Sequence, residues 1–390
     1  MRIFFSVGEP SGDQHAARLI SELRRQIPDI RVSGFGGPLM EEAGCKTHYR
    51  LTDLAVMGFF RVIPLLWRFY GLVRRAERIL REEQPDAVVL VDFPGFNWWI
   101  AHKAKALGIR VFYYLPPQLW AWAPWRIKRV RKNVDCVLCG LPFEQEWYQQ
   151  RGVSAEYVGH PFFDEILEHC LDQTFLAEWK TNERQNVGIL PGSRNHEVAQ
   201  NWPLMVDCIR ELGERFPNTR FLVACFSEQH RNRCQKMLLE SDDRTRVLPI
   251  HFFVGKTPEV IEAADCCLMV SGSVSLEMLA RETPAVVIYY WGWLSGLIVR
   301  SIVNCKFASL PNLIADREIL PEFFPHGNPV PEAKRFTAKL SSWLENRGEL
   351  DRVRVDLKQL HAKMVHSGST TRAAEVIVNR LQRPAVDRAA

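Results

Sequence analysis

The sequence predicts an α/β protein in which two doubly wound parallel-sheet domains face a cleft, with a helical C-terminus. Three observations predict it. Short apolar runs rich in β-branched and aromatic residues alternate with helical patterns in both halves, as parallel strands joined by crossover helices do. The alternation breaks once, at Gly159-His160-Pro161 and the polar stretch that follows to Arg184. From Pro331 onward only helical periodicity remains. A chain of 390 residues has room for two domains of ordinary size. The boundaries read as 1–165, 186–345 and a helical tail, 346–390, that packs back on the N-terminal domain.

In the first half, residues 3–7 form the opening strand, followed by the loop GEPSGD (residues 8–13) and a helix to about Gln26. Residues 31–35 are the next strand, after which Gly36-Gly37-Pro38 turns into a short helix ending near Gly44. AVVLVD, residues 87–92, is a buried strand leading through FPGFN to a helix that ends at Leu107. A strand at 110–114 precedes a loop carrying Trp120, Trp122 and Trp125, and residues 134–139 close this half. The second half restarts with a strand at 187–190 and a helix to about Phe216, then a strand at 220–225 and a helix over 230–239. Strands at 247–250, 266–270 and 284–290 follow, with Ser271-Gly272-Ser273 capping a helix over 274–281. Ligands of doubly wound sheets bind outside the carboxyl ends of the strands, and the loops singled out below all follow strands.

Composition narrows the functional classes. With 47% hydrophobic and 24% charged residues and no repeat or low-complexity tract, the chain reads as soluble and globular. The net charge of +5 is mild but clustered: Arg61, Arg68, Arg74, Arg75, Arg78 and Arg81 follow one another, and residues 126–132 read RIKRVRK. No nucleic-acid motif accompanies them, so nucleic acid is not an expected partner. An anionic membrane surface suits them better, although solvated helix faces carry the same pattern. The start, MRIFFSVGEP, lacks a signal-peptide layout, and the ten cysteines lie scattered in apolar runs, which together point to reduced thiols in the cytoplasm. Cys136 and Cys139 form a CxxC inside a strand-like run, which argues against a metal or redox role. No cofactor or metal is expected, because no His/Asp/Cys cluster has ligand spacing. Residues 54–73 are interrupted by Arg61, Pro64 and Arg68, and residues 283–299 are too short for a bilayer span.

Five stretches carry residue types suited to chemistry. NVGILPGSRNHEV, residues 186–198, is a buried strand that turns through Gly192, Ser193 and Arg194 into a helix. Backbone N–H groups and the positive end of a helix dipole favour an anion there, and an Arg fork suits phosphate; an ordinary strand-to-helix loop with a solvated Arg reads the same. Asp92 ends a buried strand, where a carboxylate is rigid and faces the crevice, or caps the next helix. Glu9 ends the first strand and either shares that crevice or complements a helix terminus. SGSVSLE sets Ser271, Gly272 and Ser273 at a helix start with Glu277 in its first two turns, a geometry able to take both ribose hydroxyls or simply to suit the dipole. Residues 54–70 set Phe59, Phe60, Ile63, Leu66, Trp67 and Phe69 beside Arg61 and Arg68, as an interfacial membrane helix or a buried one does. His160 fits a packed hinge as well as catalysis, and the three tryptophans a core as well as an apolar or sugar-binding wall.

Taken together, nine motifs in order give the chain a family resemblance: GEPSGD, LAVMGF (54–59), VDFPGFN (91–97), WAW (120–122), LPFE (141–144), GHP (159–161), LPGSRNHEV (190–198), SGSVSLE and SLPNLIADRE (309–318). It resembles the lipid-A-disaccharide synthases, inverting, metal-independent glycosyltransferases of the glycosyltransferase B fold, which has two Rossmann-like domains. The resemblance implies transfer of 2,3-diacylglucosamine from its UDP carrier to the 6-hydroxyl of 2,3-diacylglucosamine 1-phosphate. It implies Asp92 as the base, Arg194, Glu277 and Asn312 on the nucleotide side, and Glu9 and Ser11 on the acceptor side. UDP-diacylglucosamine and the acylated glucosamine 1-phosphate would be the partners, met at the inner face of the cytoplasmic membrane by residues 54–70. A homodimer with exchanged C-terminal helices is also implied. Three positions depart from the family pattern: Gly95 stands where a second Asp is usual, Pro116 where a Ser is, and Ala123 where an Arg is. All three lie on the acceptor side. Another UDP-sugar transferase or 2-epimerase of the same fold, or a membrane-associated homologue without turnover, fits the same architecture.

Overall fold

The computed structural model describes residues 1–55, 62–181, 183–290 and 305–382, and of 55 and 62–66 the backbone only. The chain forms two units, one of Met1–Asp164 with His366–Ala390 and one of Glu165–Val365.

The first unit is built on a parallel sheet of β1 (Arg2–Val7), β2 (Arg31–Gly36), β3 (Lys46–Arg50), β4 (Ala87–Val91), β5 (Arg110–Tyr114), β6 (Cys136–Cys139) and β7 (Ala155–Tyr157), in the order β3-β2-β1-β4-β5-β6-β7. The second carries β8 (Gln185–Leu190), β9 (Thr219–Cys225), β10 (Ile250–Val254), β11 (Cys266–Val270), β12 (Ala285–Ile288) and β13 (Glu322–Phe323), in the order β10-β9-β8-β11-β12-β13. Both orders reverse direction once, between β1 and β4 and between β8 and β11. Those reversals are the crevices where doubly wound sheets hold ligands. The central strands are continuous apolar runs because helices cover both faces; β4, AVVLV, is buried throughout.

The strands absent from the sequence reading are all at sheet edges. β3 (KTHYR) is polar and half-exposed, β7 has three residues and β13 two. Edge strands are short and polar, and so carry little periodic signal. The strand expected at 247–250 instead begins at Ile250. Val247 is 83% exposed, and Pro249, which has no N–H for the ladder, precedes the run IHFFV.

The helical tail divides. Helices Val330–Glu345 and Arg347–Met364 stay with the second unit, where Phe336, Leu340, Trp343 and Leu350 join its core. The return to the first unit begins at His366 rather than at 346. Helix Ser369–Gln382 then lays Ala373, Ala374, Ile377 and Val378 against the core that helix Pro10–Gln26 covers. Its start is fixed by Asp164, whose carboxylate accepts the N–H groups of Gly368 (2.7 Å), Ser369 (3.3 Å) and Thr370 (3.1 Å) and both hydroxyls of Ser369 and Thr370. Arg372 donates to the Val158 carbonyl at 2.8 Å and crosses Gly159, where a Cβ would lie 2.7 Å from the guanidinium. The Gly159-His160-Pro161 break is therefore a docking seat within the first unit.

Candidate active site

In the first unit the chemistry gathers at the carboxyl ends of β1 and β4. After Val91 the backbone enters the left-handed region at two successive non-glycine residues, Asp92 (φ 47°) and Phe93 (φ 41°). Such a pair is strained and persists only where neighbours over-determine it. Here Asn97, fully buried, does so. Its Nδ2 reaches the carbonyls of Ser6 (3.1 Å), Val91 (3.1 Å) and Asp92 (2.9 Å), while its Oδ1 accepts the Ser6 hydroxyl at 2.6 Å. The Tyr113 hydroxyl also donates to the Asp92 carbonyl, at 2.7 Å.

The left-handed turn sends the Asp92 carboxyl toward the start of helix Pro10–Gln26. A Cβ on Gly12 would stand 3.1 Å from its Oδ2, and one on Gly8 would stand 2.2 Å from the Phe93 ring. GEPSGD and DFPGFN thus pack together as two halves of one loop pair. Burial pushes the Asp92 carboxyl up to about 6; the charge of Glu9 adds to the shift and His15 opposes it. Glu9 and Ser11 are exposed at the helix start, whereas Asp13 turns inward and accepts the N–H groups of Gly37 (2.9 Å), Leu39 (3.0 Å) and Met40 (3.2 Å). His15 meets the His160 ring edge-on at 6.4 Å. Burial pushes His160 down to about 3, so it is neutral at physiological pH; its Nδ1 accepts the Phe162 N–H at 3.2 Å, which leaves the proton on Nε2.

The tryptophan loop is anchored separately. Trp120 donates its Nε1–H to Glu144 at 3.0 Å and packs edge-on against Phe143 at 4.9 Å. Glu144 is buried and pushed up to about 7 by that burial, against the bonds from Trp120 and the backbone. WAW and LPFE therefore occur together because one holds the other. Trp122 lies under Arg126 at 4.7 Å and Trp125 faces solvent. Gly95, one of the departures, has open space around it.

Of the expected docking residues, Phe59 and Phe60 lie outside the described residues, and Ile63 and Leu66 sit on helix Val62–Glu83 with side chains that are not described. Trp67 is 80% exposed, as a docking residue needs, and Tyr70 beside it is 60% exposed. Phe69 is a correction: its ring packs against Phe93 (6.0 Å) and Phe96 (5.8 Å), on the helix face shared with Leu72, Val73 and Ala76. No helix among the described residues is long and apolar enough to cross a membrane.

In the second unit β8 ends in Pro191-Gly192, with Gly192 at φ 112°. The N–H groups expected to stand open in this turn are occupied. Glu197, buried in the first turn of helix Asn195–Arg215, accepts the Ser193 and Arg194 N–H groups through Oε2 at 3.1 and 3.2 Å. Its Oε1 accepts from the Arg194 guanidinium at 2.8 Å. An anion would instead meet the opening N–H groups of the helix, which have no intrahelical acceptor, and the dipole of its 21 residues.

The remaining positions are also engaged. Ser271 donates to the Ala308 carbonyl at 3.2 Å, Gly272 accepts the Ser275 hydroxyl at 2.8 Å, and Ser273 makes no side-chain cap, contrary to the expected capping role. Glu277 is buried, which raises its carboxyl, and is held by Arg281 Nε at 3.1 Å, which opposes the rise. Asn312 is a further correction. Its two N–H bonds go to the Leu320 carbonyl and Glu322, each at 2.7 Å, and its oxygen accepts the N–H groups of Ile319 and Leu320. No position on that amide is left for a nucleotide. Its effect is to hold the Ser309 loop, which Glu322 also grips through the Ala308 and Ser309 N–H groups and the Ser309 hydroxyl.

The family description "Lipid-A-disaccharide synthetase" matches residues 3–379. The chain belongs to this family. The lipid-A-disaccharide synthase of Anaeromyxobacter sp. (strain K) is 34% identical over 377 residues, 97% of each chain. That of Idiomarina loihiensis is 36% identical over 332 residues, 82% of this chain and 84% of its own. Among solved structures, UDP-GlcNAc 2-epimerase from Neisseria meningitidis bound to UDP-GlcNAc is similar with a TM-score of 0.66 at 11% identity, covering 97% of this chain and all of that one. Acinetobacter baumannii MurG gives 0.61 at 13%, covering 97% and 99%. At such identities the likeness concerns the fold, which is that of the glycosyltransferase B class. As a lipid-A-disaccharide synthase family member, the chain is a glycosyltransferase of lipid A biosynthesis.

Within this synthase framework, four residues of both sites escape a reading by motif alone. Asn97 closes the DFPGFN motif, Glu144 closes LPFE and Glu197 sits inside LPGSRNHEV, yet each acts by gripping a neighbour. The readable signal was position: a Glu three residues into a helix reaches back to the turn before it. His15 had no such signal.

Proposed function

We propose that the chain joins UDP-2,3-diacylglucosamine to 2,3-diacylglucosamine 1-phosphate, giving the β-1,6-linked disaccharide 1-phosphate and UDP, with inversion at the anomeric carbon. Asp92 takes the proton of the acceptor 6-hydroxyl as that oxygen attacks the anomeric carbon from the face opposite UDP. The observation that carries this reading is the Asp92 turn: a carboxyl held by strained backbone, at the sheet's switch point, poised near 6. A base of that strength is ionised at neutral pH and still accepts a proton in the transition state. Glu9 and Ser11, exposed beside it, serve the acceptor. In the second unit the opening of helix Asn195–Arg215, with Gly192, Ser193 and Arg194, receives the diphosphate, and Arg194 offsets the charge that grows on the leaving group. Ser271, Gly272, Ser273 and Glu277 border the nucleoside, and Asn312 acts through the Ser309 loop.

Both substrates carry acyl chains, so the enzyme works at a lipid surface. Helix Val62–Glu83 supports peripheral docking on the anionic inner face of the cytoplasmic membrane, because Trp67 and Tyr70 project from an arginine-rich helix. A homodimer belongs to the same reading. The stripe on helix Ser369–Gln382 that covers the first unit can be supplied by a second copy, and sedimentation of the purified protein reports it.

The deciding experiment incubates purified protein with the two acylated sugars and follows UDP. Release that requires the acceptor, lost by about a hundredfold or more in a folded Asp92→Asn variant, is expected. A 2-epimerase would interconvert donor epimers with no acceptor, and a variant that keeps turnover would remove Asp92 from the mechanism.

A further inference from the structure

We propose that Glu197 is a positioning residue that aims the Arg194 guanidinium at the donor diphosphate; this rests on the reading of that turn given above. One carboxylate does two jobs through its two oxygens. Oε2 ties the Ser193 and Arg194 N–H groups (3.1 and 3.2 Å), which sets the turn, while Oε1 holds Arg194 Nη1 at 2.8 Å. The Arg194 side chain is 71% exposed, and an exposed arginine without such a tether samples many rotamers. Glu197 itself is fixed. It is 4% exposed and abuts Gly192, where a Cβ would lie 2.8 Å from its own Cβ. Its backbone carbonyl accepts Asn201 Nδ2–H at 2.8 Å, and Asn201 in turn accepts the Tyr290 N–H at 2.9 Å. The tether therefore runs from the end of β12 through the helix to the guanidinium.

Electrostatics separates this role from simple binding. A carboxylate beside a diphosphate repels it, so Glu197 weakens ground-state attraction for the nucleotide. Its benefit must lie in geometry, where a planar fork held in register meets the charge that develops on the leaving oxygen. Glu197→Gln keeps the size and an acceptor for the two N–H groups, but it removes the charge that draws in Arg194.

The test measures UDP affinity and steady-state rates for Glu197→Gln, Arg194→Ala, the double variant and Arg194→Lys. Expected is a kcat for Glu197→Gln lowered about tenfold to a hundredfold, with UDP bound equally or more tightly. The double variant should be no slower than Arg194→Ala alone, because the carboxylate acts through the arginine. Arg194→Lys, at an exposed position that tolerates substitution, should recover little, since an ammonium lacks the fork. Unchanged kcat in Glu197→Gln, additive losses in the double variant, or full recovery by lysine would each overturn the proposal while leaving the diphosphate turn intact. Weakened UDP affinity together with lowered kcat would assign Glu197 a structural role only and overturn it too. An unimpaired Arg194→Ala would instead remove the diphosphate reading of the turn, and this proposal with it.

Discussion

At the scale of single residues, the base proposed at Asp92 carries a pH prediction. Its carboxyl is raised from 3.8 to about 6, so the proposed base is protonated as pH falls through that value. The rate constant kcat/KM is expected to drop about tenfold per unit below pH 6, and a pH–rate profile checks it. His15 opposes the rise, so His15→Gln should move the acid limb to higher pH without changing the plateau by more than a few-fold. A limb that stays in place would show that His15 does not act on Asp92. The same raised pKa costs stability once the carboxyl ionises. The contribution is present below 3.8 and is lost as pH rises through about 6, so Asp92→Asn should melt no lower than the parent. Asp92 itself was legible in the sequence, as a carboxylate at the end of an apolar run. Its conformation was not, because the left-handed turn is imposed by Asn97 and Tyr113 from outside the strand. Asn312 shows the converse: the family resemblance implied contact with a nucleotide, whereas the Leu320 carbonyl, Glu322 and the N–H groups of Ile319 and Leu320 fill its amide.

Elements were legible where they are long and covered on both faces. β1, β4, β5, β8 and β11 stand out as apolar runs, and the helices that follow them stand out by period. β3, β7 and β13 were not, because a strand paired on one side needs neither length nor apolar alternation. Helix Ser369–Gln382 was legible as a helix, but the grip that seats it was not, since Asp164 is some 200 residues away in the chain. Asp164→Ala leaves three N–H groups and two hydroxyls without their acceptor. A loss of about 2–4 kcal/mol in the stability of the first unit is expected, read by urea unfolding, and Asp164→Asn should recover part of it. Equal stability in the alanine variant would mean that water replaces the carboxylate at no cost. Acid should loosen the same region. His160 is neutral down to about 3 in the folded state and protonates near 6.5 when unfolded, so its contribution is present above 6.5 and lost as pH falls toward 3.

For the molecule as a whole, the division into two parallel-sheet units was legible from alternation and its single break, and the family from nine motifs in order. The surface proposed to meet lipid was legible only in part, because amphipathic pattern alone does not say which aromatics turn inward. Phe69 does and Trp67 does not. Trp67→Ala with Tyr70→Ala should reduce binding to vesicles containing anionic lipid by about tenfold, measured by co-sedimentation, while leaving the melting temperature within a degree or two. A variant that sediments like the parent would place the docking surface elsewhere.

The discontinuity of the first unit has a consequence for the order in which the protein is made. The ribosome releases Met1–Asp164 first, with the seat for Ala373, Ala374, Ile377 and Val378 still uncovered. The covering segment emerges only after Glu165–Val365 has been synthesised, roughly 10–40 s later at about 5–20 residues per second. During that interval the nascent chain displays an apolar groove with an open Asp164 beside it. A chaperone, or the same helix from a chain completed nearby, has time to occupy the groove before the chain's own helix arrives.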